Sequence, residues 1–315
     1  MTMVRRWGLA WGAAFAAVLI AGTLFAHPGL REDVFGDSAV LLLISWLPMA
    51  IGGVMAWGLV QAFGRREELD RRIVAAMDGH PLYRELGWMV LLLAGFVVSM
   101  VLLSMLFAFY GAETGIAPDL AMSVALVSRL LFLFAIPLLL LDRSGITVDG
   151  KGTAMPSIAL KAVEPWRWLG LIPVAVSVGL IGYLILPHIG LPAPSLALYA
   201  MLVAFAVIAG CEEIFFRGMM QTRLELLLGR WGGIMVTSVV FAVTYALIQP
   251  YDAVSQLPGH DLVHDTGLAL LTYGAASLLY GYLWACFRNT WINILMRVVM
   301  FVLILPPDLQ VGISR

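Results

Sequence analysis

The chain has 315 residues, is 61% hydrophobic and only 12% charged, and has a mean hydropathy of +0.93. Soluble domains carry about 25% charged residues, so this composition excludes an ordinary soluble domain and favours a membrane protein. The formal net charge is −1 and no basic stripe occurs, so no nucleic-acid partner is expected. Cys211 and Cys286 both lie in apolar runs, which predicts neither a disulfide framework nor a CxxC zinc site.

Nine apolar runs follow one another along the chain, separated by polar segments. About 20 apolar residues cross a bilayer as a helix, so the predicted fold class is all-α, a multi-pass transmembrane helical bundle of eight to nine spans. The ninth run is short, and it either spans the membrane or re-enters it. The runs cover 7–26, 39–63, 86–110, 120–141, 168–186, 196–220, 232–249, 267–287 and 290–305.

Basic residues of the intervening segments fall almost entirely on one side of the predicted membrane. With the N-terminus inside, every loop Arg and Lys lies on the inner side except Arg31 and the terminal Arg315. This asymmetry predicts a cytoplasmic N-terminus, because cytoplasmic loops carry the excess of basic residues. We therefore expect an integral, multi-pass protein with the lipid bilayer as a partner, in the inner membrane if the source is bacterial.

The spacing of the runs predicts four regions. A segment at 64–84 that mixes Arg with Glu and Asp predicts a polar surface helix. The segment 142–167, which contains several Gly and Pro residues, predicts a cytoplasmic linker. The regions are a four-helix membrane region at 1–141, the linker at 142–167, a second helical membrane domain at 168–305 and a tail at 306–315.

The stretch Gly210-Cys-Glu-Glu-Ile-Phe-Phe-Arg-Gly218 places charged residues in the sixth apolar run. A charged side chain at the centre of a bilayer costs at least about 2.5–3.5 kcal/mol, so such residues usually face a protein interior and have a function. On an α-helix, Glu213 and Arg217 share one face, whereas Glu212 points about 100° away. This spacing predicts one carboxylate held by the arginine and the other facing a cavity. The alternative is a structural ion pair that joins two helices.

The histidines offer little support for a buried metal site. A hydrolytic zinc site needs about three protein ligands, and all the histidines fall in predicted loops. His260 and His264 have the spacing at which one helix face could present two imidazoles to a metal. The alternative for these two is a solvated polar loop between the seventh and eighth runs.

Three stretches of the C-terminal third resemble the motifs of a known family. They are similar to the EExxxRG, FxxxH and HxxxN motifs of the CAAX protease and bacteriocin-processing family, which comprises type II CAAX prenyl endopeptidase-like intramembrane metalloproteases. The resemblance covers about 196–301 and implies peptide-bond hydrolysis in or near the membrane, on a membrane-associated or prenylated peptide or protein. The stretches are Glu212–Gly218, Phe241–Tyr245 and Gly281–Phe301.

The resemblance implies roles for individual residues. Glu212 takes the position of the base that activates water, and Glu213 and Arg217 take the positions of its supporting pair. In the family, the first glutamate and two histidines hold the catalytic water, directly or through zinc. Here Tyr245 and Arg297 replace those two histidines. Phe301 replaces the asparagine of the third motif, and Phe241 matches the phenylalanine of the second.

These replacements change the expected chemistry. A neutral phenol is a poor zinc ligand and a guanidinium is never deprotonated, so the zinc that the family implies is not expected here. A buried carboxylate without a cation is strongly unfavourable. We therefore expect Arg297 to pair with Glu212 while Tyr245 donates a hydrogen bond. Arg129 in the fourth run either joins this network or is a lipid-facing arginine whose guanidinium reaches the interface.

Three functions are consistent with these patterns. The first is an intramembrane endopeptidase with a non-standard site. The second is a degenerate relative that keeps the fold and acts as a membrane binding or regulatory protein, which the replaced histidines favour. The third is a transporter, which the absence of an internal repeat makes less attractive.

Overall fold

The computed structural model is helical in every regular element that it describes, which confirms the all-α fold class. It describes residues 14, 16–35, 38–64, 66–114, 120–142, 155–252 and 261–305. The α-helices, α1 to α14 in chain order, are Ala16–Ala26, Pro28–Phe35, Ser38–Phe63, Arg66–Ala76, Leu82–Thr114, Leu120–Arg129, Met155–Leu160, Leu171–Ile189, Leu196–Glu213, Thr222–Leu228, Arg230–Ile248, Leu262–Ala269, Ala275–Phe287 and Thr290–Ile304. Tighter 3-10 turns lie at Pro165–Gly170 and Gln249–Tyr251, and wider π-helical turns at Leu130–Ala135, Leu138–Asp142, Ile214–Gln221 and Leu270–Gly274.

Among the described residues, seven helical stretches are long and apolar enough to cross a membrane. Two shorter apolar helices, α1 and α14, lie where the first and ninth runs were predicted. The order of these helices follows the predicted runs, so a multi-pass integral membrane protein is supported. The seven stretches are Trp46–Phe63, Leu82–Phe109, Met122–Leu141, Pro165–His188, Leu196–Leu228, Arg230–Tyr251 and Leu262–Phe287.

The interior of the bundle lies among the C-terminal helices. In the stretch Arg230–Tyr251, 67% of the most apolar 18 residues are buried, compared with 17% in Leu82–Phe109. The main cluster of buried side chains joins α9 and the π-helical segment after it to α5, α6, α11 and α14. The helices that carry the predicted motifs are therefore surrounded by protein, and charged side chains on them can be kept from lipid.

Helix α3 packs closely against α8 at a contact between small groups. Ser177 Oγ donates a hydrogen bond of 2.9 Å to the carbonyl of Pro48. A Cβ added at Gly52 would lie 2.1 Å from Ser177 Oγ, so glycine is required for this approach. The contact attaches the second apolar run to the part of the chain that carries the motifs.

The junction between α13 and α14 is fixed by a buried arginine. Arg167 Nε donates to the carbonyl of Phe287 at 3.0 Å, and its Nη2 donates to the carbonyl of Arg288. Carbonyls at the C-terminal end of a helix lack partners in the helix itself, so the guanidinium satisfies them. Arg288 is left-handed, with φ 50°, and Asn289 then accepts from Trp291 N to cap α14. The reversal of the chain at Arg288 and Asn289 therefore fixes the position at which α14 begins.

The predicted polar surface helix at 64–84 is present as α4. Its apolar residues Leu69 and Ile73 are buried, and Asp70 accepts from Arg230 Nη2 at 2.6 Å. Within the predicted linker, residues 143–154 lie outside the described residues, as does the predicted tail at 306–315. The predicted boundaries between regions remain a prediction.

Candidate functional site

The two adjacent glutamates end α9, and a π-helical segment begins directly after them. Glu212 and Glu213 are 1% and 0% exposed, and Ile214–Gln221 continues the helix with wider turns. A π-helical turn pairs residue i with i+5 and often occurs at functional sites. The predicted α-helical geometry is therefore wrong beyond Glu213. The expectation that one carboxylate faces a cavity is also wrong, because both are buried and paired.

Glu212 receives three donors from three different helices. Arg129 Nε donates to its Oε1 at 2.5 Å, and Tyr245 Oη donates to its Oε2 at 2.8 Å. Arg297 Nη2 donates to the same Oε2 and lies 3.0 Å from Tyr245 Oη. Both carboxylate oxygens are therefore engaged by the protein. The contacts expected from Arg297 and Tyr245 are present.

Glu213 shares Arg297 with its neighbour. Arg297 Nη1 donates to Glu213 Oε1 at 3.2 Å, so one guanidinium bridges both glutamates. Asn293, one turn before Arg297 on α14, donates to Glu213 Oε2 at 2.8 Å and to the carbonyl of Tyr280 at 3.0 Å. Arg297 was expected to pair with Glu212, and the structure adds this second contact with Glu213. The bridge holds the two carboxylates against α14.

Arg129 faces the protein interior, which excludes the lipid-facing alternative. Its side chain is 0% exposed and binds Asp252 through two hydrogen bonds, of 2.7 Å and 3.2 Å. Its Nη1 also donates to the carbonyl of Ala125 at 3.1 Å. Together with its bond to Glu212, these contacts occupy all three guanidinium nitrogens. Arg129 therefore connects α6 to the end of α11 through the site.

Arg217 is the most weakly bound of the buried arginines of the site. Its Nε lies 3.5 Å from Glu213 Oε2, so the predicted pair is present at ion-pair distance without a hydrogen bond. Its Nη2 donates to Ser277 Oγ at 2.9 Å. The guanidinium lies 5.1 Å from the ring centroid of Phe241 and 5.9 Å from that of Tyr280. Aromatic faces thus provide part of its environment.

The charges of this site cancel. Glu212 and Glu213 were expected among its acids, whereas Asp252 lies between the predicted apolar runs 232–249 and 267–287. The three arginines exceeded the two expected acids by one, and this excess was a signal that a third buried acid was needed. Asn293 was also missed, although its spacing of four residues from Arg297 places it on the same helix face. The charged members are Arg129, Arg217, Arg297, Glu212, Glu213 and Asp252.

The motif phenylalanines line the site with aromatic surface. Phe241 packs against both Arg217 and Arg297, the second at 5.5 Å from the ring centroid. Phe301 stacks on Phe205, with centroids 4.0 Å apart and planes at 9°. Beside them lies a cavity of about 280 Å³ that borders Tyr245 and Arg297. Its walls are mainly apolar and aromatic.

The donors around the glutamates do not fit zinc. Both oxygens of Glu212 are bound by arginine or tyrosine groups, which are not zinc ligands under ordinary conditions. Among the described residues, no group of three or more His, Cys, Asp or Glu side chains has the geometry to hold a metal ion. The zinc that the family implies is therefore not supported by the residues present.

The two candidate metal-binding histidines do not alter this conclusion. His260 lies outside the described residues. His264 is in α12 and buried, so its assignment to a solvated loop is wrong. Its Nδ1 lies 3.3 Å from Asp265 Oδ1, and its ring packs against His27 with centroids 5.1 Å apart. Neither contact involves the glutamates.

The motif-bearing part of the chain matches one protein family. Residues 194–303, about a third of the chain, match the family model described as Type II CAAX prenyl endopeptidase Rce1-like. This match confirms the resemblance, and it covers the segment from α9 to α14. The comparisons with curated proteins and with solved structures gave no match.

Proposed function

We propose that this chain, whose residues 194–303 are similar to type II CAAX prenyl endopeptidases, is a degenerate member of that group that binds a membrane partner without cleaving it. The partner would be a membrane-associated or prenylated peptide or protein. The observation that carries the proposal is the position of Arg297, which donates to both Glu212 and Glu213.

A carboxylate that acts as a general base needs a free oxygen within hydrogen-bond reach of the water that it activates. The oxygens of Glu212 are bound by Arg129 on one side and by Tyr245 and Arg297 on the other. Freeing one of them would separate a buried ion pair, which typically costs about 3–5 kcal/mol. The glutamates therefore act as structural acceptors that order four helices around the site.

The cavity of about 280 Å³ supports a binding role. It is lined by apolar and aromatic side chains such as Phe205 and Met300, with Tyr245 and Arg297 on one wall. Ile304, another lining residue, is 40% exposed, so the cavity borders the lipid-facing surface. A mostly apolar pocket with a few polar groups is typical of a ligand site.

Binding and cleavage can be measured on the same sample. The purified protein, reconstituted in nanodiscs, would be titrated with a fluorescent prenylated peptide and the peptide then examined by mass spectrometry. We expect saturable binding and an intact peptide. Ala276→Trp, which fills the cavity from α13, should weaken binding, whereas Leu278→Trp, on the same helix but facing another groove, should not.

Cleavage by the unmodified protein that Glu212→Gln abolishes would contradict the proposal. It would favour the second candidate, an active protease with a non-standard site. Equal binding by the Ala276→Trp and Leu278→Trp variants would place the peptide elsewhere.

A further inference from the structure

Polar side chains continue from the glutamates along the same helix toward its end. Glu213, Arg217, Gln221 and Glu225 follow at intervals of four residues, and each is at most 9% exposed. Gln221 Nε2 donates to Glu225 Oε1 at 2.7 Å. The four residues form a buried polar stripe through the π-helical segment and into α10.

Helix α13 runs beside this stripe. Arg217 Nη2 binds Ser277 Oγ at 2.9 Å, and Gln221 Nε2 donates to the carbonyl of Gly281 at 2.8 Å. Both pairs are separated by 60 positions, so the two segments run in the same direction. A Cβ at Gly281 would lie 2.8 Å from Gln221 Oε1, which explains the glycine at this approach.

Three buried polar atoms of this stripe have no hydrogen-bond partner in the described part of the chain. They are Arg217 Nε, Arg217 Nη1 and Gln221 Oε1. Native proteins usually satisfy such atoms with ordered water.

Open space lies beside Gly218, the residue that follows Arg217. Gly218 is buried, yet a Cβ built on it would meet no described atom within 4 Å outside its chain neighbours and the nearby helix backbone. This contrasts with Gly281, where an added Cβ would collide. The packing around the π-helical turn is therefore loose at the residue that follows Arg217.

A charged groove borders the polar stripe at its last residue, Glu225. It has a volume of about 710 Å³ and lies between α4 and α10. Thr222, four residues after Gly218, lines it together with Glu225 and Arg288. Its lining is largely charged and includes the exposed α4 residues Arg71 and Ala75, so the groove is open to water.

We propose that water enters from this groove past Thr222 and Gln221, and hydrates Arg217 beside the buried glutamates. The path would give the ion-pair site a connection to the aqueous phase that does not pass through the apolar cavity. Protons and water could then exchange with Glu213 and Arg217 while Glu212 stays enclosed.

Cysteine accessibility tests this path. In a background with Cys211→Ala and Cys286→Ala, Gly218→Cys and Gln221→Cys would be treated with 2-aminoethyl methanethiosulfonate in nanodiscs. Met220→Cys, equally buried but in the apolar cluster, is the matched control. Because the reacting species is a thiolate, which needs water, we expect reaction about tenfold faster or more at the two path positions. Equal rates at all three positions would overturn the proposal.

The unmodified protein provides a second test that does not depend on folding of the variants. Arg217 and Arg129 are both 0% exposed, but all three guanidinium nitrogens of Arg129 are bound by protein groups. Water-edited solid-state NMR should transfer magnetisation from water to the Arg217 guanidinium markedly faster than to that of Arg129. Equally slow transfer to both would exclude the path.

Discussion

Arg129 Nε lies 2.5 Å from Glu212 Oε1, although the two residues are 83 positions apart. Arg129 is in α6, outside the segment 194–303 that matches the family model. The site therefore draws one of its three cations from the N-terminal part of the chain. A fragment restricted to the matched segment would leave Glu212 and Asp252 without this partner.

Arg129→Met should destabilise the protein strongly. The substitution removes the arginine bound to Asp252 and one of the two arginines bound to Glu212. Breaking a buried ion pair from one side typically costs about 3–5 kcal/mol. We expect a clear fall in the thermal unfolding temperature in detergent. Arg71→Met, on the exposed face of α4, is the control and should have little effect. Similar behaviour of the two variants would mean that the buried contacts do not contribute to stability.

Glu212 and Arg297 should behave as a coupled pair. Glu212→Gln and Arg297→Met are each expected to lower the unfolding temperature, because each leaves a buried charge without its partner. The double variant should recover much of the loss. Recovery should be incomplete, since Arg297 also binds Glu213. Strictly additive losses, measured by the same thermal unfolding, would show that the two residues are energetically independent.

The Glu212–Arg297 contact could be predicted from the sequence because the motif spacing brings position 297 to the first glutamate. The apolar runs likewise predicted the helices, since lipid requires long apolar stretches. The contact depends on the spacing of motifs along the chain, and the helices depend on local composition, so both can be predicted from the sequence.

Other features depend on the three-dimensional packing. The π-helical turn after Glu213 changes which side chains share a face, and the α-helical period cannot reveal it. Asp252 follows a 3-10 turn at the end of α11, where the sequence alone suggests a solvent-exposed loop. Only the packing of α6 against the site makes it a buried partner of Arg129.

The zinc content of the purified protein tests whether the arginine and tyrosine groups bound to Glu212 exclude a metal ion. We expect the purified protein to carry less than stoichiometric zinc, because guanidinium and phenol groups fill the coordination positions of Glu212. Elemental analysis of protein prepared without chelator would measure it. His260→Ala combined with His264→Ala removes any site outside the glutamate network. One zinc per chain that survives these substitutions would contradict the expectation.

The orientation of the chain remains a prediction and can be tested directly. Ala75 is exposed on α4, which the distribution of basic residues places on the cytoplasmic side. In the background without native cysteines, Ala75→Cys should react with a membrane-impermeant maleimide only after permeabilisation. Ser255→Cys, in the predicted outer loop, should react in intact cells. Labelling of Ala75→Cys from outside would reverse the proposed topology.

Glu164 should contribute stability that depends on pH. Partial burial raises its pKa, but hydrogen bonds from Arg72, its own backbone amide and Arg167 outweigh this effect and lower the pKa to about 2. A carboxyl whose pKa falls on folding stabilises the folded state above its ordinary pKa of 4.5. This contribution should disappear progressively as the pH falls from about 4.5 to about 2.

Arg72→Gln provides the measurement. It removes the bond of 2.5 Å from Arg72 Nη1 to Glu164 Oε1, so the variant should unfold at a lower temperature than the unmodified protein at neutral pH. The difference should shrink as Glu164 becomes protonated near pH 2. It should also shrink in high salt, because the Arg72 side chain is 47% exposed. Arg72 also binds Glu68, through Nη2 at 2.5 Å. In a Glu164→Gln background the same substitution should therefore lose the part of this pH dependence that comes from Glu164 and keep only the part that comes from Glu68. An undiminished difference near pH 2 would mean that Arg72 stabilises the protein through contacts other than Glu164.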